Sequence, residues 1–324
     1  MNRREFLAAA AVAPLAPAGL ARAALAASLG GSPYVFVTAD TESHVAVLSP
    51  TTGRILRRIH TTAGPRSVEA VGYRFGVVAH TAGGAVTILD SRPLRIRHVL
   101  REFAEPRYTA AHPSGHLAFV TDSRRGEVVA VDVVRGEVLG RLRLDGPARH
   151  VTIDHKGRTL WVSLGSKAER VAVVDVARPD APRLLRTLQP PFLAHDVGFS
   201  LDRRHVWVTS GSDGQLAIYD RRERRPLFTL PADAPPQHVT FTDDLAYVTS
   251  GDDGTLRVHR LGDGRAIRTT RVPVGSYNVQ EGLGLIVTPS LERGTLCILG
   301  GAGALLHRTQ VAPSSHDACL VMGR

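Results

Sequence analysis

Seven polar positions recur roughly every 40 residues along this 324-residue chain: Ser67, Tyr108, His150, His195, His238, Asn278 and His316. Four are histidine, three of them consecutive in the series, and two are followed directly by aspartate, as His195-Asp196 and His316-Asp317. The residues just before add Arg66, Arg107, Arg149 and Tyr277. The chain has 14 histidines in all, and scatter alone does not put four of them on one repeating position. Neutral imidazoles converging on an axis are good ligands for Zn or Cu, and neighbouring carboxylates can orient them. The same His and Arg set could instead form a cationic funnel for a small anionic ligand or an acidic partner. It could also be a solvated polar lining held by hydrogen bonds. Glu69 and Glu281 have the chemistry of acid/base groups, yet no G-x-S-x-G, H-E-x-x-H or P-loop surrounds them.

These positions need a scaffold with the same period, and the sequence carries one. Phe36-Val37-Thr38, Val77-Val78-Ala79, Phe119-Val120-Thr121, Trp161-Val162-Ser163, Trp207-Val208-Thr209, Tyr247-Val248-Thr249 and Ile286-Val287-Thr288 share one pattern. Each is an apolar or aromatic residue, then Val, then a small residue. The Val-to-Val spacings are 41, 42, 42, 46, 40 and 39. A period near 40 that is rich in β-branched residues marks propeller blades. Asp-Gly turns such as Asp213-Gly214 follow, and then alternating strands such as Leu216-Ala217-Ile218-Tyr219-Asp220. Trp161 and Trp207 occupy the aromatic slot and read as packing residues, while His112, His116 and His155 fall in turns and read as surface residues. The Asp-Gly loops lack the ligand series of a calcium loop.

The seven polar positions open the innermost strands. The last of these has no later strand to pair with, and the first Val-Thr strand has no innermost strand before it. Circular closure resolves both, with 316–322 pairing onto 34–38. The predicted fold is therefore an all-β, seven-bladed propeller whose C-terminal innermost strand completes the N-terminal blade.

Units such as His112-Pro113-Ser114-Gly115-His116-Leu117-Ala118-Phe119-Val120-Thr121-Asp122 and Asp202-Arg203-Arg204-His205-Val206-Trp207-Val208-Thr209 resemble YVTN-type (YncE-like) repeats across essentially the whole mature chain. The final Asn of that pattern is replaced here by Ala, Asp, Ser or Leu. The resemblance implies the fold and a choice of roles: binding platforms, surface proteins, lyases, lactonases and cofactor-bearing reductases. Propellers of the nitrous-oxide-reductase type carry a His-ligated copper cluster at the same location, but this chain has too few histidines for that cluster.

The N-terminus reads as a leader. Asn2-Arg3-Arg4-Glu5-Phe6-Leu7, an Ala-rich run interrupted by Pro14 and Pro17, and Ala21-Arg22-Ala23 resemble a twin-arginine signal peptide. The run is too short and too alanine-rich for a membrane span. Residues 1–23 are assigned to the leader and 24–324 to the propeller. The leader carries two of the ten net positive charges, so the mature chain remains basic. With only 5% aromatic residues, that charge lacks the stacking platforms of a nucleic-acid surface. Cys297 and Cys319 read as small buried thiols, although an oxidising compartment permits a disulfide.

The resulting expectation is a monomeric, non-catalytic propeller, periplasmic or secreted. It would bind a partner protein, a small anionic ligand or a Zn or Cu ion at the mouth of its channel. Arg66, Arg107, Tyr108, Arg149, Asp196, Tyr277, Asn278 and Asp317 would contact the ligand, and His150, His195, His238 and His316 the metal. The competing expectation is a metal-dependent lyase or lactonase using His195, Asp196, His238, Glu281 and His316. Replacing Arg3 and Arg4 by Lys is expected to leave unprocessed precursor in the cytoplasm, followed by immunoblot of cell fractions. Export of the wild type through a strain lacking twin-arginine translocation would refute the leader assignment.

Overall fold

The computed structural model describes residues 31–324 apart from 233, so the leader assigned to 1–23 lies outside the described residues. The 28 strands form seven four-stranded antiparallel sheets arranged as a ring, with no helix among the described residues. Six sheets use four consecutive strands. The seventh is composite: Ala318–Met322 pairs with Pro33–Ala39, in the register Pro33↔Met322 to Val37↔Ala318. The closing strand thus covers an edge that would otherwise offer its N–H and C=O groups to any passing strand. Beyond the ladder, Ser32 N donates to Arg324 O at 3.0 Å and Gly323 N to Ser32 O at 2.8 Å.

We number the blades from this composite one. Their innermost strands are Ala318–Met322, Pro65–Val71, Pro106–Ala111, Val151–Ile153, Val197–Phe199, Val239–Phe241 and Gln280–Gly282. In six of the seven blades the pairing of the third and outermost strands slips by one residue. Such a bulge adds local twist, which lets each sheet turn from the axis towards the rim.

The motif residues build the core by strand alternation, because neighbouring side chains point to opposite faces. Val35 and Val37 pack with Val287, Leu296 and Ile298 of blade 7, whereas Phe36 between them packs with Val68, Val78 and Leu89 of blade 2. Trp161 sits in the same slot of blade 4 against Tyr219 of blade 5, with ring centroids 5.4 Å apart, and Trp207 of blade 5 meets Phe241 of blade 6 at 5.8 Å. Gly76 admits Phe36: a Cβ there would stand 2.6 Å from the Phe36 ring. Both cysteines are buried free thiols on adjacent blades, so no disulfide is present.

The small residue that follows Val joins one blade to the next. Thr38 Oγ1 donates to Arg66 O at 3.1 Å, Thr121 Oγ1 to Arg149 O at 2.7 Å, and Thr209 Oγ1 to Gln237 O at 2.7 Å. Thr249 makes the equivalent bond to the Tyr277 carbonyl, and in blade 2, where Ala79 fills the motif position, Ser67 of the innermost strand bonds the Arg107 carbonyl instead. Each hydroxyl stitch thus ends on the residue just before one of the recurring polar positions Ser67, Tyr108, His150, His238 and Asn278.

Two outcomes test this architecture. Deleting residues 316–324 is expected to expose the inner edge of Pro33–Ala39 and to cause aggregation or loss of cooperative unfolding. A soluble truncation with unchanged melting would contradict closure. Trp161→Ala is expected to cost about 3–5 kcal/mol, read from denaturant unfolding, because it empties a fully buried slot between two blades.

Candidate metal centre at the channel mouth

The same hydroxyls set the height of each side chain in the channel. Backbone N–H groups of Tyr108, His150, Asp196, His238 and Asp317 donate to Thr121, Ser163, Thr209, Thr249 and Thr38 at 3.1, 3.1, 2.9, 3.3 and 3.0 Å. In blade 7 the Thr288 hydroxyl donates to Asn278 O at 2.7 Å. In blade 2 Ser67 pairs with Ala79. The structural ring is therefore Asp317, Ser67, Tyr108, His150, Asp196, His238 and Asn278. His195 and His316 stand one residue earlier, nearer the mouth, which differs from the single level expected for all four histidines. In the two His-Asp pairs it is the aspartate that holds the hydrogen-bonded register. A one-residue offset in a strand reverses side-chain direction.

Three of the four histidines nevertheless meet. One ligand atom from each of His150, His195 and His238 lies within 4.8 Å of the others. Their ring centroids are 4.5 Å (His150–His195), 4.7 Å (His150–His238) and 5.3 Å (His195–His238) apart. Each Nδ1 has a neighbour. His195 Nδ1 lies 2.5 Å from Ser166 O, which can only accept, so that nitrogen carries the proton and Nε2 keeps a lone pair. His238 Nδ1 is 3.4 Å from Asp196 Oδ2, and His150 Nδ1 is 3.5 Å from Ser163 Oγ. His150 Nε2 is buried without a hydrogen-bond partner. An imidazole held at one nitrogen and open at the other is the arrangement seen in metal ligands.

Burial dominates the electrostatics. It pushes His195 down to about 4, with the neighbouring His238 adding to the effect. His150 is held well below the usual imidazole range by burial, then by His195, His238 and Arg149. Both are neutral near pH 7, as ligation requires. His316 is depressed likewise by burial and by Arg66, but it is not part of the group. Its Nδ1 accepts from Asn278 Nδ2 at 2.9 Å. Tyr108 touches both sides of the mouth, its ring centroid 4.0 Å from His150, 5.8 Å from His238 and 6.4 Å from His316.

The remaining expected ligand residues divide by depth. At the mouth, Arg66 pairs with Asp40 at 3.2 Å, Arg107 pairs with Glu105, and Arg149 has the Tyr108 hydroxyl beside it. Tyr277 lies apart on the rim, its hydroxyl 3.1 Å from both Asp252 and Glu292. Behind the histidines runs a cavity of about 220 Å³, walled in part by Glu69, Thr109, Asp196, Gln280, Glu281 and Asp317. Asp196 and Asp317 serve that wall, accepting from Val239 N at 3.1 Å and Val68 N at 3.0 Å on the following blade. Burial raises Asp317 to about 7, and burial with the Asp317 charge raises Glu69 to about 8. Glu281 Oε1 accepts from Gly284 N at 3.1 Å within its own turn.

Ser166 is absent from the sequence reading. It sits in the 164–170 loop that Ala168 fastens to Ala194, just before His195. The one trace of this loop is the 46-residue step between Val162 and Val208, the longest in the series.

No family model matches the chain, and no curated protein matches it. Solved structures do match in shape. A functionally unknown protein from Desulfotomaculum acetoxidans DSM 771 has a TM-score of 0.77 at 10% identity, over 90% of this chain and 99% of that one. The Kuenenia stuttgartiensis hydrazine synthase scores 0.66 at 13% identity, over 80% and 90%. The dihydro-heme d1 dehydrogenase NirN in complex with DHE scores 0.62 at 14%, over 88% and 74%. At these identities the likeness is one of fold, and the fold shared is the seven-bladed propeller.

Proposed function

We propose that this chain is an exported metal-binding propeller in which His150, His195 and His238 hold one transition-metal ion, Zn or Cu, at the channel mouth. The observation that carries the reading is the trio itself. One nitrogen of each ring converges with the others, and His150 Nε2 is buried with no partner. Burying a polar nitrogen without a partner costs free energy, and an ion supplies that partner. Nitrogens around a tetrahedral ion at about 2.0–2.1 Å stand roughly 3.4 Å apart, so ring rotations of about an ångström close the site. Three protein ligands leave a fourth position for water or an exogenous ligand. The leader motif in residues 1–23 supports export, and a twin-arginine route carries folded, metal-loaded proteins.

A metal-dependent lyase or lactonase is the second reading. It is favoured by Glu69, a channel-wall carboxyl held protonated near neutral pH and so able to act as an acid. Turnover of a lactone and polysaccharide panel, lost in Glu69→Gln and on chelation, distinguishes the enzyme from the binding protein.

Titration of the wild type with Zn and Cu is expected to show one tight site, and His195→Ala and His238→Ala to weaken it by about 100-fold or more. Equal affinity in all three proteins removes the metal centre. At 100 times Kd the ion should add about 2.7 kcal/mol of stability, read as a rise in melting temperature. The increment is expected to fade only as pH falls towards about 4, where His195 takes up its proton. The direction follows from a lowered imidazole pKa, because protons compete with the ion only on the acid side.

A further inference from the structure

We propose that the mouth is an oxyanion site in which the Arg149 guanidinium and the Tyr108 hydroxyl hold a small carboxylate or inorganic oxyanion against the three-histidine centre. This inference rests on the metal reading for its second half only.

Arg66, Arg107 and Arg149 occupy the same position on blades 2, 3 and 4, where the stitches from Thr38, Ser67 and Thr121 fix their carbonyls. Three like charges are thereby brought close enough for Arg107 and Arg66 to act on Arg149. Two are compensated, Arg66 by Asp40 and Arg107 by Glu105. Arg149 is different. Among the described residues it forms no ion pair, only the Tyr108 hydroxyl lies beside it, and its Nε, like those of Arg66 and Arg107, is buried without an acceptor. A half-buried guanidinium with no counter-charge, beside two further guanidiniums, lacks an anion. Its planar donor set suits two oxygens of one carboxylate or oxyanion.

The position beside the histidines defines what that anion does. Arg149 precedes His150 in the chain and acts electrostatically on both His150 and His195. A fixed cation there repels a metal dication. An anion with one oxygen on Arg149 and another at the open metal position turns that repulsion into mutual attraction. Metal and anion binding are then positively coupled, and linkage requires the coupling to be reciprocal. Nothing in the step breaks a covalent bond. The anion displaces water from the mouth and bridges two cations.

The substitution that tests this should spare the fold, because Arg149 contributes its backbone to the structure, through N to Ser163 O at 3.0 Å and O from Thr121. Full-length mature protein loaded with Co2+ is titrated with acetate and with sulfate at constant ionic strength, following visible absorption and heat. Saturable binding is expected in the wild type and at least tenfold weaker binding in Arg149→Met. In anion-free buffer Arg149→Met is expected to bind Co2+ more tightly, because a repelling charge has gone, and to lose the mutual enhancement of metal and anion. Arg149→Lys, which keeps the charge but not the fork, should fall between the two and serves as the test if the Met variant does not fold. Equal anion affinity in wild type and variants overturns the proposal while leaving the metal centre intact. If Co2+ does not bind the wild type, the metal reading fails by itself, and the anion titration of metal-free protein decides. Arg149-dependent binding supports the oxyanion site, and binding that is absent or indifferent to Arg149 overturns it.

Discussion

One hydrogen bond, repeated around the ring, underlies the rest of this structure: a Thr hydroxyl on the second strand of a blade, or in blade 2 the Ser67 hydroxyl on the innermost strand, donating across the gap to the next blade. Adjacent blades share no backbone ladder, so buried peptide groups facing the gap need partners from side chains. The hydroxyls of Thr38, Ser67, Thr121, Thr209 and Thr249 supply them on the mouth side. Within the channel the carboxylates of Asp196 and Asp317 and the hydroxyls of Thr152 and Thr240 do the same for backbone N–H groups. Each such bond is worth only about 1 kcal/mol net, but leaving its buried partners unmet costs more. The stitches also end on Arg66, Arg107, Arg149, Gln237 and Tyr277, so a device that holds the ring together also places the residues of its mouth.

Desolvation then decides the charge of that mouth and channel. It lowers the imidazoles of His150, His195 and His316 and raises the carboxyls of Glu69 and Asp317. The two shifts move formal charges of opposite sign towards neutrality, which lets a narrow channel hold many ionisable groups. Their linkage to stability runs in opposite directions. The depressed histidines favour the fold above their unfolded pKa of 6.5, and for His195 that contribution is lost as pH falls through about 4. The raised carboxyls favour it below their unfolded values, and that contribution is lost as pH rises through about 7 for Asp317 and about 8 for Glu69. Between about pH 4 and 6.5 the two effects therefore offset each other, and from there to about pH 8 only the loss from the carboxyls remains.

Against this neutralised interior the arginines stand out. Burial neutralises His and Glu by moving a proton, whereas a guanidinium stays charged in proteins and must find an anion, a dipole or a metal-bound ligand. Asp40 and Glu105 compensate two of the three, and the Tyr108 hydroxyl offers the third only a dipole. The chemistry of the mouth is thus set by a balance of one unmatched cation and the imidazoles of His150 and His195, which burial keeps neutral.

Much of this was legible in the chain itself. The period near 40, the apolar-Val-small motif and the unpaired terminal strands determine seven blades and circular closure, because strand alternation and edge pairing are local rules that a sequence displays directly. The four histidines were legible as a series, but their geometry was not. Strand register belongs to the paired strand, and pairing put Asp196 and Asp317, not His195 and His316, on the ring with His150 and His238. His195 rejoins the cluster only because the 164–170 loop supplies Ser166 O to hold its ring, whereas His316 is turned to Asn278. Those are contacts between neighbouring blades, decided by how the closed ring brings backbone and side chains together, and no repeat pattern encodes them.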